Sequence, residues 1–173
     1  DFEKRRSISM EEYVQMISLK TSVLLAASLQ MGAIMGGGGR GNQQHLYAFG
    51  KNLGIAFQVQ DDYLDCFGDP EKFGKQVGGD IIANKKTFLL IHTMEVANTL
   101  QEKELAFLLK NDPTDKVARV QQLYRDCGSD AWAASLKEKY SGIAMEHLED
   151  TAVLSVRKQP LQELAAYLLK REH

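Results

Sequence analysis

The chain has 173 residues, 44% of them hydrophobic and 25% charged, with a formal net charge of −2. That apolar content suffices for one packed domain, and the near-balanced charge argues against nucleic-acid binding. The most apolar run, Val23 to Met35, is interrupted by Gln30 and is shorter than the roughly 20 residues a bilayer span needs, so stable membrane insertion is not expected.

Almost every segment reads as helix, with no strand-like alternation bounded by turns. Ser9 and Glu12 fit a capping box, and a helix is expected from there to about Met35, ended by "GGGGRG" at Gly36 to Gly41. A second helix is expected from about Asn42 to Phe67. The glycine-rich stretch "GDPEKFGKQVGGD" reads as a loop. A third helix is expected from near Asn84 to about Thr99, a short fourth over "QEKELAFLLK", and a fifth over "TDKVARVQQLYRDC", ended by Gly128. A long sixth covers "DAWAASLKEKYSGIAMEHLEDTAVL". The seventh is "PLQELAAYLLKR", with Pro160 in its first turn. The fold class is therefore all-α, in one domain over residues 1–173. The chain opens on "DFEKRRS" without an initiator Met and no signal-peptide pattern leads it, which reads as a fragment incomplete at its N-terminus. Cys66 and Cys127 lie far apart and in no Cys-x-x-Cys pair, as reduced, buried thiols of a reducing compartment do. A cytoplasmic location follows from that.

Several familiar motifs fail. The tetraglycine lacks the Gly-Lys-Ser/Thr of a phosphate loop, and in "GDPEKFGKQ" Gln76 stands where that loop needs Ser or Thr. An EF-hand begun at Asp61 would place its glycine on Cys66 and its glutamate on Lys72. His45, His92, His147 and His173 include no i, i+4 pair, so a zinc site is not expected. Trp132 and the tyrosines read as packing residues.

The unusual feature is "AFQVQDDYLDCFGD". On a helix, Gln58, Asp61, Asp62 and Asp65 fall at i, i+3, i+4 and i+7 and share one face. Like charges at these spacings repel by a few tenths of a kcal/mol per pair, roughly. A solvated acidic face would tolerate that. A hard divalent cation would turn the repulsion into attraction, because Mg²⁺ takes carboxylate oxygens, water and substrate phosphate. Downstream, "GKQVGGDIIANKK" offers Lys75, Lys85 and Asp80 among glycines, suited to a diphosphate held by metal and lysine together. Lys86 reads as a solvated surface residue. Upstream, Lys20 and Thr21 interrupt an apolar helix. Lys20 either snorkels to water or points into a cavity that receives an anion.

Lys20-Thr21, then "FQVQDDYLD", then "GKQVGGDIIANKKT", in this order, resemble the trans-isoprenyl diphosphate synthases of the polyprenyl synthetase family. The match is strong over residues 20 to 87. The resemblance implies the C-terminal part of an isoprenoid-synthase-type helical bundle around a deep cavity. It implies a Mg²⁺-dependent, head-to-tail condensation of an allylic diphosphate with isopentenyl diphosphate. Asp61, Asp62 and Asp65 would form the second aspartate-rich, metal-binding motif, with Asp80 supporting the metal's water shell. Lys20, Lys75 and Lys85 would contact the allylic diphosphate. Thr21 and Gln58 would lie near the allylic cation, and Phe57 against isopentenyl diphosphate. A homodimer is implied as well. The family's first aspartate-rich motif is not in this chain and is expected before Asp1, so the 173-residue chain alone is expected to be inactive. Two further readings are a non-catalytic partner subunit of a prenyl synthase and a class I terpene cyclase. The intact second motif opposes the former, and the lysine-bearing elements in this order oppose the latter.

Overall fold

A computed structural model of the chain describes residues 8–69 and 77–170. Among the described residues every regular element is helical. Helix α1 (Met10–Ile17) passes through a π-helical turn (Ser18–Ser22) into α2 (Val23–Met35). Then follow α3 (Arg40–Phe67), a four-residue α4 (Gly79–Ile82), α5 (Phe88–Val96), α6 (Thr99–Asn111), α7 (Lys116–Asp126), α8 (Ser129–Glu149) and α9 (Ser155–Leu169). Packing divides the chain into two compact units. Among the described residues one comprises Ile8–Tyr13 with residues 60–69 and 77–135, the other Val14–Val59 with residues 136–170.

The second unit has its core where Phe49 and Leu53 of α3 meet Ala144 and Leu148 of α8 and Ala165 of α9. Each of the first two pairs is spaced i, i+4, so each forms one ridge of its helix. Gly50 and Gly54 let α3 approach α2 and the π-turn closely. A Cβ on Gly54 would lie 2.8 Å from the Ser22 Cα, and one on Gly50 2.8 Å from the Ala26 Cα. The apolar helix is longer than Val23 to Met35 alone suggests. Met10–Met35 is 26 residues, long and apolar enough by length and composition to cross a bilayer. Its Ser22 and Ala26 are fully buried against the α3 glycines, whereas Leu24 and Met35 are exposed.

Pro160 is not in the first turn of its helix. α9 begins at Ser155 and contains Pro160 in its interior, although a proline there removes one backbone hydrogen bond. The early start is held by Lys158, a buried ammonium that donates to the Glu149 carbonyl and, at 3.3 Å, to the Glu149 carboxylate. A cation at the last carbonyls of α8 also meets the negative end of the helix dipole. The same clasp explains why α8 stops at Glu149 rather than near Leu154.

In the first unit α7 packs against α4, α5 and α6. Phe88, Leu89, Leu90 and Ile91 are all buried, so α5 is apolar around its circumference, as a core helix must be. It starts at Phe88 and not near Asn84. Asn84 has φ 51° and ends the preceding turn, while the Thr87 side chain accepts from the Leu90 amide and caps the new helix. Asn98 and Gln101 then form a capping box that separates α5 from α6. Lys116, only 3% exposed, donates to Asp112 Oδ1 at 2.6 Å and to Asn84 Oδ1 at 2.8 Å. Asn84 and Asp112 are the two non-glycine residues with positive φ among the described residues. One ammonium thus secures both left-handed turns. Trp132 stacks on His92 at 4.2 Å between centroids. Burial lowers the His92 pKa, with Glu95 opposing. Cys66 is buried as expected, whereas Cys127 is only half-buried; both are free thiols.

Candidate active site

The aspartates of α3 are in different states. Asp62 is 2% exposed, and its Oδ2 accepts a 2.6 Å hydrogen bond from the hydroxyl of Tyr13, itself 2% exposed. Tyr13 is set edge-on to Phe88, with centroids 4.5 Å apart. Burial, then the charge and hydrogen bond of Asp62, raise the Tyr13 pKa, so the phenol stays a donor. Asp65 is half-buried. Its Oδ1 accepts the backbone amide of Asp80 at 2.8 Å, and its carbonyl accepts the amide of Gly78 at 2.6 Å. Asp61 is half-buried and takes no hydrogen bond among the described residues.

Gly78 makes the turn that brings Asp80 to Asp65. Its φ is 82°, a value side chains resist, and a Cβ there would lie 2.6 Å from a methyl of Val117. Asp80 follows in α4, and its carboxylate pairs with Lys85 at 2.8 Å. The Lys85 side chain is 48% exposed against 20% for Asp80, so the pair contributes about 0–1 kcal/mol and is readily exchanged for another anion. Burial pulls the Lys85 ammonium down, but the hydrogen bond and charge of Asp80, with Asp62 and Asp61 behind, outweigh it and leave the pKa raised. Asp65 is raised chiefly by burial, against the Asp80 amide, with Asp80 and Asp61 adding and Lys85 opposing. Lys75 lies outside the described residues. Lys86 is partly buried, more than a fully solvated lysine would be.

In the other unit, Lys20 and Thr21 fall inside the π-turn. Such turns carry one extra residue and are frequent at functional sites. Lys20 is exposed, beside the 70% exposed Leu19. The Thr21 hydroxyl donates to Gln58 Oε1 at a long 3.4 Å, and Phe57 and Gln58 are both half-buried on α3. Tyr13 and the π-turn were not foreseen from the sequence. Nothing local announces Tyr13, 49 positions from Asp62. The polar run "SLKTS" within an apolar helix is a usable sign of the turn.

The donors of the Asp61, Asp62, Asp65 and Asp80 group are all oxygen, and one of the four is paired with Lys85. Burial makes the Asp65 charge costly. Those are the terms on which a hard divalent cation is taken up, and oxygen donors suit Mg²⁺ better than zinc. Asp61 and the remaining oxygen of Asp65, one helical turn apart, fit as direct ligands. Asp62, committed to Tyr13, and Asp80, committed to Lys85, fit as groups around them.

Residues 1–127 match the polyprenyl synthetase family model. The chain is 35% identical over 99% of its length to a short chain isoprenyl diphosphate synthase of Methanothermobacter thermautotrophicus, covering 53% of it. It is also 35% identical to a geranylgeranyl diphosphate synthase of Saccharolobus solfataricus, over 98% of the chain and 52% of that protein. Among solved structures, a geranylgeranyl pyrophosphate synthase superposes with a TM-score of 0.89 at 38% identity, over 100% of this chain and 55% of that one. The chain thus spans about half the length of the curated relatives it matches. It belongs to the polyprenyl synthetase family.

Proposed function

We propose that the chain supplies the second aspartate-rich half of a trans-prenyltransferase that condenses an allylic diphosphate with isopentenyl diphosphate, head to tail. The observation that carries this reading is the acidic group on α3 and α4, with Asp61 carrying no hydrogen bond among the described residues and Lys85 held in an exchangeable pair. The relatives' names support it, since they include geranylgeranyl, geranylfarnesyl and farnesyl diphosphate synthases.

Bound at Asp61 and Asp65, Mg²⁺ would neutralise the charge that grows on diphosphate as the allylic C–O bond breaks. Lys85 would release Asp80 and take a diphosphate oxygen, and the family resemblance gives Lys75 and Lys20 the same role, each a mobile point charge. Such groups accelerate ionisation because they favour the separated charges over the ester. Asp62 keeps its bond to Tyr13 and holds that stretch of α3 in place. Asp80 would order water around a bound cation. The Thr21 hydroxyl and the Gln58 carbonyl turn their oxygens toward the allylic cation, and Phe57 lies against isopentenyl diphosphate. The departing diphosphate takes the final proton.

The assembled enzyme works as a homodimer in the cytoplasm, where Cys66 and Cys127 remain free thiols. The 173-residue chain, with one aspartate-rich motif, does not turn over by itself. The test is a prenyl-transfer assay with labelled isopentenyl diphosphate. It is run on this chain alone and on a polypeptide that joins it to a first aspartate-rich motif. Product from the joined polypeptide alone is the expected outcome. Product from neither contradicts the enzymatic reading and favours a non-catalytic partner subunit.

A further inference from the structure

We propose that His45, His147 and Asp150 form a binding site for a zinc-type divalent cation, separate from the aspartates of the prenyl-transfer reading. His45 lies in the second turn of α3, His147 in the last turn of α8, and Asp150 directly after it. The two Nδ1 atoms are 3.3 Å apart although the residues are 102 positions apart in sequence. All three donor atoms lie within 4.8 Å of one another.

The imidazole separation matches what zinc requires. Zn–N bonds of about 2.0–2.1 Å at a tetrahedral angle put two ligand nitrogens roughly 3.3–3.4 Å apart. For a hydrogen bond the same distance is long, since N–H donors usually sit about 2.7–3.2 Å from their acceptors. The rings do not stack, with centroids 5.6 Å apart and planes tilted by 49°. Without an ion the contact is attractive only if one ring carries its proton on Nδ1. With an ion both rings carry it on Nε2, and both Nδ1 lone pairs are used.

The surrounding backbone is fixed without the ion. The Asn42 side chain accepts the Ala152 amide at 2.8 Å, tying the turn after Asp150 to the start of α3. Thr151 is buried and donates to the His147 carbonyl at 3.2 Å. Asp150 is exposed, so its carboxylate can swing onto the ion without unpacking the core. The end of α8 contributes the negative pole of its dipole, which favours a cation there. Two imidazoles and one carboxylate select zinc over magnesium, which prefers oxygen alone. Water completes the fourth position. The bound ion clips the beginning of α3 to the end of α8.

The test uses the chelator-stripped 173-residue chain titrated with Co²⁺, whose visible absorption reports tetrahedral nitrogen ligation, and with Zn²⁺ by calorimetry. One ion per chain is expected, with Mg²⁺ in excess failing to displace it. His45→Ala and His147→Ala each weaken Zn²⁺ binding by at least about 100-fold, because groups one shell further out already account for 10–100-fold. Asp150→Asn weakens it less, and His92→Ala not at all. Saturating Zn²⁺ raises the melting temperature of the wild type by about 5 °C and leaves a helical, folded His147→Ala unmoved. Wild-type Zn²⁺ affinity in both histidine variants overturns the site, and so does a wild type that binds no Co²⁺ or Zn²⁺. In that case the contact is an imidazole pair sharing a proton.

Discussion

The Tyr13 hydroxyl donates to Asp62 Oδ2 across 2.6 Å, and both side chains are 2% exposed. Adjacent aspartates in one motif therefore have different work. Asp61 takes no hydrogen bond among the described residues, whereas Asp62 ties α3 to Tyr13 of α1. A hydrogen bond to a charged group contributes about 1.5–3 kcal/mol. Tyr13→Phe should lower stability by about that amount, read as a shift in the urea midpoint at constant slope. Asp61→Asn should leave the midpoint nearly unchanged. Equal effects from the two variants would contradict the division.

Asp65 carries the opposite sign. Burial raises its pKa, so the folded state holds that proton more tightly than the unfolded chain does. Stability then falls as pH rises from the unfolded value through the folded one, and above that window the ionised carboxylate is a standing cost. Asparagine keeps an oxygen for the Asp80 amide and removes the charge. Asp65→Asn should melt higher than wild type at neutral pH without Mg²⁺. The gap should close as pH falls into the carboxylate range. A variant that melts lower at neutral pH would show the ionised form to be favourable.

Lys116 controls the turn that carries Asp80 and Lys85. Lys116→Met removes an ammonium shared by Asn84 and Asp112. The expected loss is about 1–3 kcal/mol, the range for lost hydrogen bonds to a charged donor, because the 66% exposed Asp112 returns to water. Hydrogen exchange at the amides of residues 79–85 should accelerate more than at α8. Uniform acceleration would mean that Lys116 holds the unit as a whole and not this turn.

What was legible in the sequence is what is local. The Ser9–Glu12 capping box forms as its spacing predicts, with both reciprocal bonds present. The aspartate stripe falls on one helix because i, i+3, i+4 spacing needs no tertiary information. The helix pattern runs through Asn84, four residues before α5 begins, because nothing in that pattern shows that Lys116 holds Asn84 left-handed. Pro160 suggested a helix start because the stabilising clasp, Lys158 on Glu149, lies in tertiary structure. His45 and His147 meet only in tertiary structure, which an i, i+4 spacing on one helix cannot show. Tyr13 could not be matched to Asp62 for the same reason.

The glycine pair of α3 gives a packing prediction. Each Cβ added at Gly50 or Gly54 meets backbone atoms at 2.8 Å, so relief requires the helices to separate. Gly54→Ala should cost about 1–3 kcal/mol by overpacking, while Gly142→Ala on α8, with nothing within 4 Å, should be stabilising or neutral. A thermal melt of both variants decides it, and a Gly54→Ala as stable as wild type would refute the close approach.

The central claim is that Asp61 and its neighbours take a magnesium diphosphate. Calorimetric titration of inorganic diphosphate into the chain, with and without Mg²⁺, tests it most directly. Binding should require Mg²⁺ and should weaken by at least about tenfold in Asp61→Ala. Diphosphate that binds equally without Mg²⁺, or equally to Asp61→Ala, would contradict the claim.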